Sequence, residues 1–295
     1  MIDLHVHSTK SDGTYTPTQL VDYAMEKGLF AFALTDHDSV DGVEEAADHA
    51  IFLKKTLPDE EKNKVPLVIP GIELSTDENG TEVHVVGLYI DPSNRTFRNY
   101  LNEFIASRTT RNIKMCEKFQ EMGIDLQYEA LQERFPDCVL TRAHYARFLL
   151  EHGYVGSNKE AFDRYLGSHC PCYVPREKIT PQKAVELILT AGGVPILAHP
   201  ILYHLSDVKL DSMVAGLKQD GLVGIEALYS SYSAADERQI RRLAQKYDLL
   251  ISGGSDFHGA NKPGLDLGIG YGKLYIPDDL LAPLEQKASS RQNDF

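Results

Sequence analysis

Eleven histidines are spread along the chain, and six of them fall beside carboxylates, within or at the ends of short apolar stretches. His5 and His7 close the opening run MIDLHVH, and Asp12 follows in a polar turn. Asp36-His37-Asp38 ends FALTDHD, Glu73 lies in PGIEL, and His84 lies within TEVHVVGLY. His199 closes PILAHP, and Asp256 and His258 follow LLISGGS. Neutral imidazoles and carboxylates aimed at one point make a site for a borderline-hard divalent ion such as manganese, iron or zinc. The nine candidate ligands are His5, His7, Asp12, His37, Glu73, His84, His199, Asp256 and His258. One ion does not accept nine, so two or three ions are implied, and a carboxylate such as Glu73 can bridge two. An HxH pair alone is usually a surface or satisfied core pair; the joint placement of all these fragments carries the metal reading.

For these residues to meet, strand ends must converge. Eight short apolar stretches read as strands: Ile2–Val6, Phe30–Thr35, Val65–Ile72, Glu82–Ile90, Val194–Ala198, Leu222–Tyr229, Leu249–Gly253 and Lys273–Ile276. Residues i and i+2 of a strand share a face. Ile2, Leu4 and Val6 are therefore expected on one face and His5 and His7 on the other, and Asp256 and His258 are expected to aim together. Helical patterns separate most of the strands. Thr16 is an N-cap with Pro17 at the first helical position and Gly28 closing the helix; Thr180-Pro181 repeats the device before Gln182–Ala191, which Gly192-Gly193 ends. This alternation predicts a parallel α/β architecture, a closed or nearly closed barrel whose strand carboxyl ends share the active face. Between about residues 95 and 178 the alternation gives way to three or four helices. The expected organisation is a barrel of residues 1–95 and 179–295 with a helical insertion, 96–178, near one mouth. Residues 287–295 are polar and expected to fray.

Bulk properties exclude several classes. Hydrophobic content is 42%, charged content 25% and formal net charge −13. Nucleic-acid binders that track a long phosphate backbone are basic, so no long nucleic-acid tract is expected; a phosphorylated substrate is compatible if metal ions or a local arginine cluster meet it. No apolar run spans a membrane, and Asp3 and His5 interrupt any signal-peptide core, which points to the cytoplasm. The four cysteines, Cys116, Cys138, Cys170 and Cys172, read as reduced and structural, since CPC is too tight for a CxxC motif. The glycine-rich stretch 264–272 precedes a strand rather than a helix and reads as a loop bordering the site. Oligomeric state is left open.

The series LHVHSTKSDG, LTDHDSVDG, GIELS, EVHVVGLY, LAHP and GGSDFHG runs in order over nearly the whole chain. It resembles the PHP family, named for polymerase and histidinol phosphatase. The insertion, with SRTTRNIKM, TRAHYARFL and EAFDRYLG, resembles that of the stand-alone group acting on nucleoside 3′,5′-bisphosphates and short RNA 5′ ends. The resemblance implies a distorted (β/α)7 barrel with a trinuclear centre. His5, His7, Glu73 and Asp256 would hold the first ion, Glu73, His84 and His199 the second, and Asp12, His37 and His258 the third. Asp12 stands where some relatives carry histidine. Two stretches depart from the family pattern: Ile201-Leu202-Tyr203 replaces a glycine-rich continuation after AHP, and CPC at 170–172 replaces small residues.

The expected activity is hydrolysis of a nucleotide phosphate ester, namely the 3′-phosphate of nucleoside 3′,5′-bisphosphates and/or short 5′-phosphorylated oligoribonucleotides. A hydroxide bridging two ions is the expected nucleophile, with manganese the expected metal and iron or zinc the alternatives. Asp36 and Asp38 could orient ligating histidines or simply form turns. Arg108, Arg111 and Arg142 could form a guanidinium fork for a second phosphate, with His144 joining them and Lys262 adding a phosphate contact. Tyr145, Phe148 and Tyr232 could stack on a base, although their spacing favours a core role. Three readings compete: a histidinol-phosphate-type phosphatase, an amidohydrolase cleaving C–N bonds, and a non-catalytic module regulating a polymerase. Amidohydrolases commonly place a lysine at a middle strand end, where this chain has Glu73, and a regulatory module would have lost ligands.

Overall fold

Seven strands follow one another around a single sheet in chain order. They are β1 (Ile2–Val6), β2 (Ala31–Leu34), β3 (Leu67–Glu78), β4 (Thr81–Leu88), β5 (Val194–Leu197), β6 (Gly224–Tyr229) and β7 (Leu250–Gly254). The computed structural model describes residues 1–175 and 179–292. The two ends of the sheet meet: the His7 amide donates to Phe257 O at 3.0 Å and the Asp256 amide to His5 O at 2.9 Å. The result is a nearly closed α/β barrel.

The helices are α1 (Pro17–Glu26), α2 (Val43–Thr56), α3 (Asp59–Lys62), α4 (Arg95–Glu121), α5 (Tyr128–Arg134), α6 (Arg142–Glu151), α7 (Asn158–Ala161), α8 (Pro181–Thr190), α9 (Asp207–Gln219), α10 (Ala234–Lys246) and α11 (Leu281–Gln292). Thr16 caps α1 through a reciprocal pair with Gln19, and Thr180 caps α8 by accepting from the Lys183 amide. Among the described residues no helix is long and apolar enough to cross a membrane. Residues 287–292, expected to fray, continue α11; residues 293–295 lie outside the described residues.

Three expectations are corrected. First, the barrel is not wholly parallel, because β4 runs antiparallel to both β3 and β5. The cause is a tight hairpin at Asn79-Gly80, both with positive φ (52° and 84°), the pair of conformations that Asn-Gly turns supply. It extends β3 six residues past its expected end at Ile72, so Glu73 lies in mid-strand. Second, Lys273–Ile276 forms no strand; the Ile2 amide donates to Ile276 O at 3.0 Å. Third, β1 does not alternate uniformly. Its register against β2 shifts between Asp3 and Val6, where three steps on β1 match two on β2. Ile2 and Leu4 consequently pack with Ala31, Ala33, Ile69, Val86 and Ile196 inside the ring. Val6 packs outside, with Leu20, Val21, Phe32 and Leu34. A bulge of this kind turns all later side chains to the opposite face, and it lets His5 and His7 point inward above Leu4.

Contacts divide the chain into two compact units, Met1–Arg98 with Lys178–Phe295, and Asn99–Glu177. The first is the barrel. The second has its own core of Met115, Phe119, Leu131, Tyr145, Phe148 and Leu149. Burying each such side chain contributes about 1.5–3 kcal/mol. Tyr145 is fully buried and its hydroxyl donates to Asn112 O at 2.9 Å, so it serves the core, as does Phe148.

Candidate metal centre

Glu73 lies in mid-β3, paired with β4 on one side and still bonded to the segment after β2 on the other: its amide donates to Asp36 O at 3.1 Å and its carbonyl accepts the Asp38 amide at 2.9 Å. Its carboxylate is buried, 1% exposed. Its two oxygens face different histidines. Oε2 lies 3.2 Å from His5 Nε2, 3.2 Å from His7 Nε2 and 3.1 Å from His37 Nδ1. Oε1 lies 2.8 Å from His84 Nδ1 and 3.0 Å from His199 Nε2. Beyond β7, Asp256 Oδ1 is 3.3 Å from His7 Nε2, 3.3 Å from His258 Nδ1 and 3.7 Å from His5 Nε2. Asp12 Oδ1 is 3.2 Å from His258 Nε2, and Oδ2 is 3.9 Å from His37 Nε2. The structure thus draws all nine candidate ligands to one face. Among the described residues three groups have ligand atoms within 4.8 Å of one another: His7, Asp12, His37 and His258; His5, His7 and Glu73; and His37, Glu73 and His84. His7, His37 and Glu73 each stand in two of them.

The donor set fits divalent ions. His5 Nε2, His7 Nε2 and His37 Nδ1 are buried without a hydrogen-bond partner, an arrangement that costs about 1–3 kcal/mol per orphaned group. They approach Glu73 Oε2 closely but are not aligned to bond it. Two ligand atoms each about 2.0–2.2 Å from one ion, at right-angled to tetrahedral spacing, stand about 2.8–3.6 Å apart. The separations around Glu73 fall in that range.

A second set of residues holds the ligands. Glu226, on β6, faces His5 Nδ1 at 3.1 Å through Oε1, and its Oε2 accepts the His199 amide at 2.7 Å. His199 has φ 28° and Asp256 φ 58°, backbone states that a non-glycine residue keeps only when its surroundings enforce them. Tyr229 donates to Asp256 Oδ2 at 2.6 Å, and Lys262 Nζ bonds the same oxygen. Asp36 and Asp38 bond serines of the neighbouring segments. Asp36 accepts from Ser8 N at 2.7 Å, Ser8 Oγ at 2.6 Å and Ser11 Oγ at 2.6 Å, and Ser11 Oγ is 3.5 Å from His7 Nδ1. Asp38 accepts from Ser75 N and Oγ at 2.9 and 3.0 Å. Glu226 and Tyr229 escape the sequence reading. The available signal for Glu226 is a lone carboxylate inside the apolar stretch Leu222–Tyr229.

Charge in the ion-free site is set by competition. Burial pushes His7 down, but Asp256 and Glu73 overcome it and bring the imidazole up to about 9. Burial likewise opposes the charged form of His84, yet Glu73 and then Glu82 raise it to about 10. For His37 burial wins, with the charges of His7 and His84 adding to it, and its pKa falls to about 3 despite Glu73 and Asp12. His5 is likewise raised well above its ordinary value, since Glu73, Glu226 and Asp256 outweigh its burial, so at pH 7.5 the ion-free protein carries protons on His5, His7 and His84. A ligating imidazole must be neutral, so ion binding expels them. Metal affinity should therefore rise with pH from 7 through about 10. Calorimetric titration in buffers of different ionisation enthalpy should detect net proton release; none at pH 7.5 would contradict these protonation states.

The expected phosphate residues divide between the two units. Lys262 is in the barrel unit, engaged with Asp256. In the second unit Arg108 Nη1 donates to Leu140 O at 3.3 Å, Arg111 Nε to Val174 O at 2.8 Å and Arg142 Nη1 to Leu166 O at 3.5 Å. The guanidinium groups of Arg111 and Arg142 both lie over the Tyr173 ring. Burial, then the charges of Arg108 and Arg142, lower Arg111 to about 10. His144 is used as a cap: its Nδ1 accepts the Thr141 amide at 2.9 Å, and its ring packs edge-on against Phe135. Tyr232 accepts the Ile201 amide at 3.2 Å through its hydroxyl.

Known proteins resemble this chain over most of its length. The PHP domain model matches residues 3–166. A 5′-3′ exoribonuclease of Haemophilus influenzae is 35% identical over 256 residues, covering 87% of this chain and 89% of the relative. A 3′,5′-nucleoside bisphosphate phosphatase of Chromobacterium violaceum is 32% identical over 90% of each chain. The solved structure of a protein described as a metal-dependent phosphoesterase, from Bifidobacterium adolescentis, aligns with a TM-score of 0.82 at 26% identity, covering 97% of this chain and 96% of that one. The chain belongs to the PHP domain family and is a metal-dependent phosphoesterase.

Proposed function

We propose that this enzyme hydrolyses the 3′-phosphate of nucleoside 3′,5′-bisphosphates and/or short 5′-phosphorylated oligoribonucleotides. The observation that carries this reading is the division of Glu73, with one oxygen facing His5, His7 and His37 and the other facing His84 and His199. Ions placed side by side around a shared carboxylate suit in-line displacement at phosphorus. The nucleotide part of the reading is supported by the relatives named as a 5′-3′ exoribonuclease and a bisphosphate phosphatase.

Two to three divalent ions, manganese first among them, would be held by three sets, as the resemblance to the PHP family implies: His5, His7, Glu73 and Asp256; Glu73, His84 and His199; and Asp12, His37 and His258. Such ions supply Lewis acidity, neutralising phosphoryl oxygens and making a water acidic enough to attack near neutral pH. The chain's own residues arrange this chemistry. Glu226, by accepting from His5 Nδ1, leaves the Nε2 lone pair to face Glu73. Tyr229 and Lys262 occupy Asp256 Oδ2, so that Oδ1 faces the histidines. The Lys262 ammonium also adds positive charge where phosphate charge develops. Arg108, Arg111 and Arg142 are assigned to phosphate recognition.

A substrate panel on manganese-supplemented protein tests the proposal. Adenosine 3′,5′-bisphosphate should yield the 5′-monophosphate and inorganic phosphate, and short 5′-phosphorylated RNA should be shortened. Turnover of p-nitrophenyl phosphate or histidinol phosphate, with none of bisphosphate or RNA, would reject it.

A further inference from the structure

The residues after AHP depart from the family pattern, and they reach back into the sheet. Pro200–Tyr203 form one 3₁₀ turn after β5. The turn returns the Tyr203 hydroxyl to the β4–β5 ladder. In that antiparallel pair Val85 faces Leu197 and Val86 faces Ile196, so His84 faces Ala198. The Ala198 amide donates to His84 O at 3.1 Å, as the ladder requires. An antiparallel pair of this type exchanges two hydrogen bonds, and the second would run from the His84 amide to Ala198 O. The Tyr203 hydroxyl stands in that place. It accepts the His84 amide at 3.2 Å and donates to Ala198 O, with His84 O also 3.2 Å away. The side chain is a wedge: it satisfies both backbone groups while keeping them apart.

The wedge sits at the residues that set two ligands. His84 is the β4 member of the opened pair, and His199 directly follows Ala198. Their rings meet edge-on, 5.2 Å apart, and both face Glu73 Oε1. The Tyr203 ring also lies edge-on to His199, centroids 6.0 Å apart.

We infer that Tyr203 is a positioning residue that, by holding the β4–β5 ladder open with its hydroxyl, sets the spacing of His84 and His199 for the ion they share with Glu73. This rests on the reading of the centre as a multi-ion site. Removing the hydroxyl leaves the His84 amide and Ala198 carbonyl free to bond each other, the strands close, and the His84 ring moves relative to Glu73.

The test is Tyr203→Phe, titrated with cobalt(II) from the ion-free state, following visible absorption for stoichiometry and affinity, with melting of the ion-free protein measured in parallel. One ion should bind about 10–100-fold more weakly, the range for loss of a residue that orients a metal ligand. The other ions should keep their affinity, and the ion-free protein should melt within a few degrees of the parent. Unchanged affinities would overturn the inference. So would equal weakening of every ion with a lowered melting temperature, which would mark a merely structural tyrosine. A parent protein that binds no more than one cobalt would overturn the multi-ion reading as well. If Tyr203→Phe does not fold, Tyr203→Met, which lacks the hydroxyl but fills irregular space, is held to the same criteria.

Discussion

Glu73→Gln should lower kcat by about 10³-fold, since the Lewis-acid assistance at stake is worth several kcal/mol. It should also leave the purified enzyme short of at least one ion. The substitution keeps shape and volume in a residue that is 1% exposed, so no cavity opens. What changes is donor chemistry. Glutamate offers two anionic oxygens, one toward His5, His7 and His37 and one toward His84 and His199. Glutamine offers one neutral oxygen and an NH₂ group that cannot ligate. Whichever way the amide turns, one histidine set faces a donor, and the charge that draws cations between the sets is gone. Elemental analysis and steady-state kinetics on the same preparation check the result, with circular dichroism confirming the fold. A full metal complement with kcat within tenfold of the parent would show that Glu73 does not join two ions.

The nine clustered residues are legible in the sequence because residue type and closeness to strand ends are local properties. The paths by which they arrive are less so. His5 and His7 face inward because β1 carries a bulge, and nothing in IDLHV marks it, since uniform alternation predicts the same histidine face with Ile2 and Leu4 opposite. Glu73 arrives from mid-strand, although the Asn79-Gly80 hairpin signal lies in plain view; the strand-helix alternation elsewhere favours a parallel reading that this local turn overrides. Asp256 and His258 meet beyond β7, with Asp256 left-handed, so strand geometry is not what aims them. Supporting contacts are least legible. Glu226 meets His5 across 221 positions, and only the closed ring of strands brings them together. Asp36 and Asp38 flank His37 yet bond serines, because their side chains satisfy the turns that hold the ligand loops.

Gly254→Ala should disable the centre with one methyl group. A Cβ on Gly254 would lie 2.1 Å from His5 Cβ, 2.7 Å from His5 N and 2.9 Å from His5 Cα. None of these is the end of a flexible side chain, and alanine has no rotamer to offer, so only separation of β1 from β7 relieves the overlap. That seam closes the ring and carries His5, His7, Asp256 and His258. It is fastened from within: Asp3, fully buried, accepts from Ser255 N and Gly268 N at 2.8 Å each. Burial pushes that carboxyl up to about 6 even though Ser255 and Gly268 donors favour its charge. Overpacking at a rigid contact costs about 3 kcal/mol, and for a unit of this size that lowers Tm by roughly 10 °C. The ion assigned to His5 should be lost with it. Gly216→Ala supplies the contrast. Gly216 lies within α9 with nothing inside 4 Å of its added Cβ, so the change should stabilise by about 0.5–1 kcal/mol and leave metal content and turnover alone. Calorimetry and elemental analysis of the two variants decide the matter. A Gly254→Ala enzyme that melts with the parent and keeps its ions would mean that the β1–β7 seam yields without moving the ligands it carries.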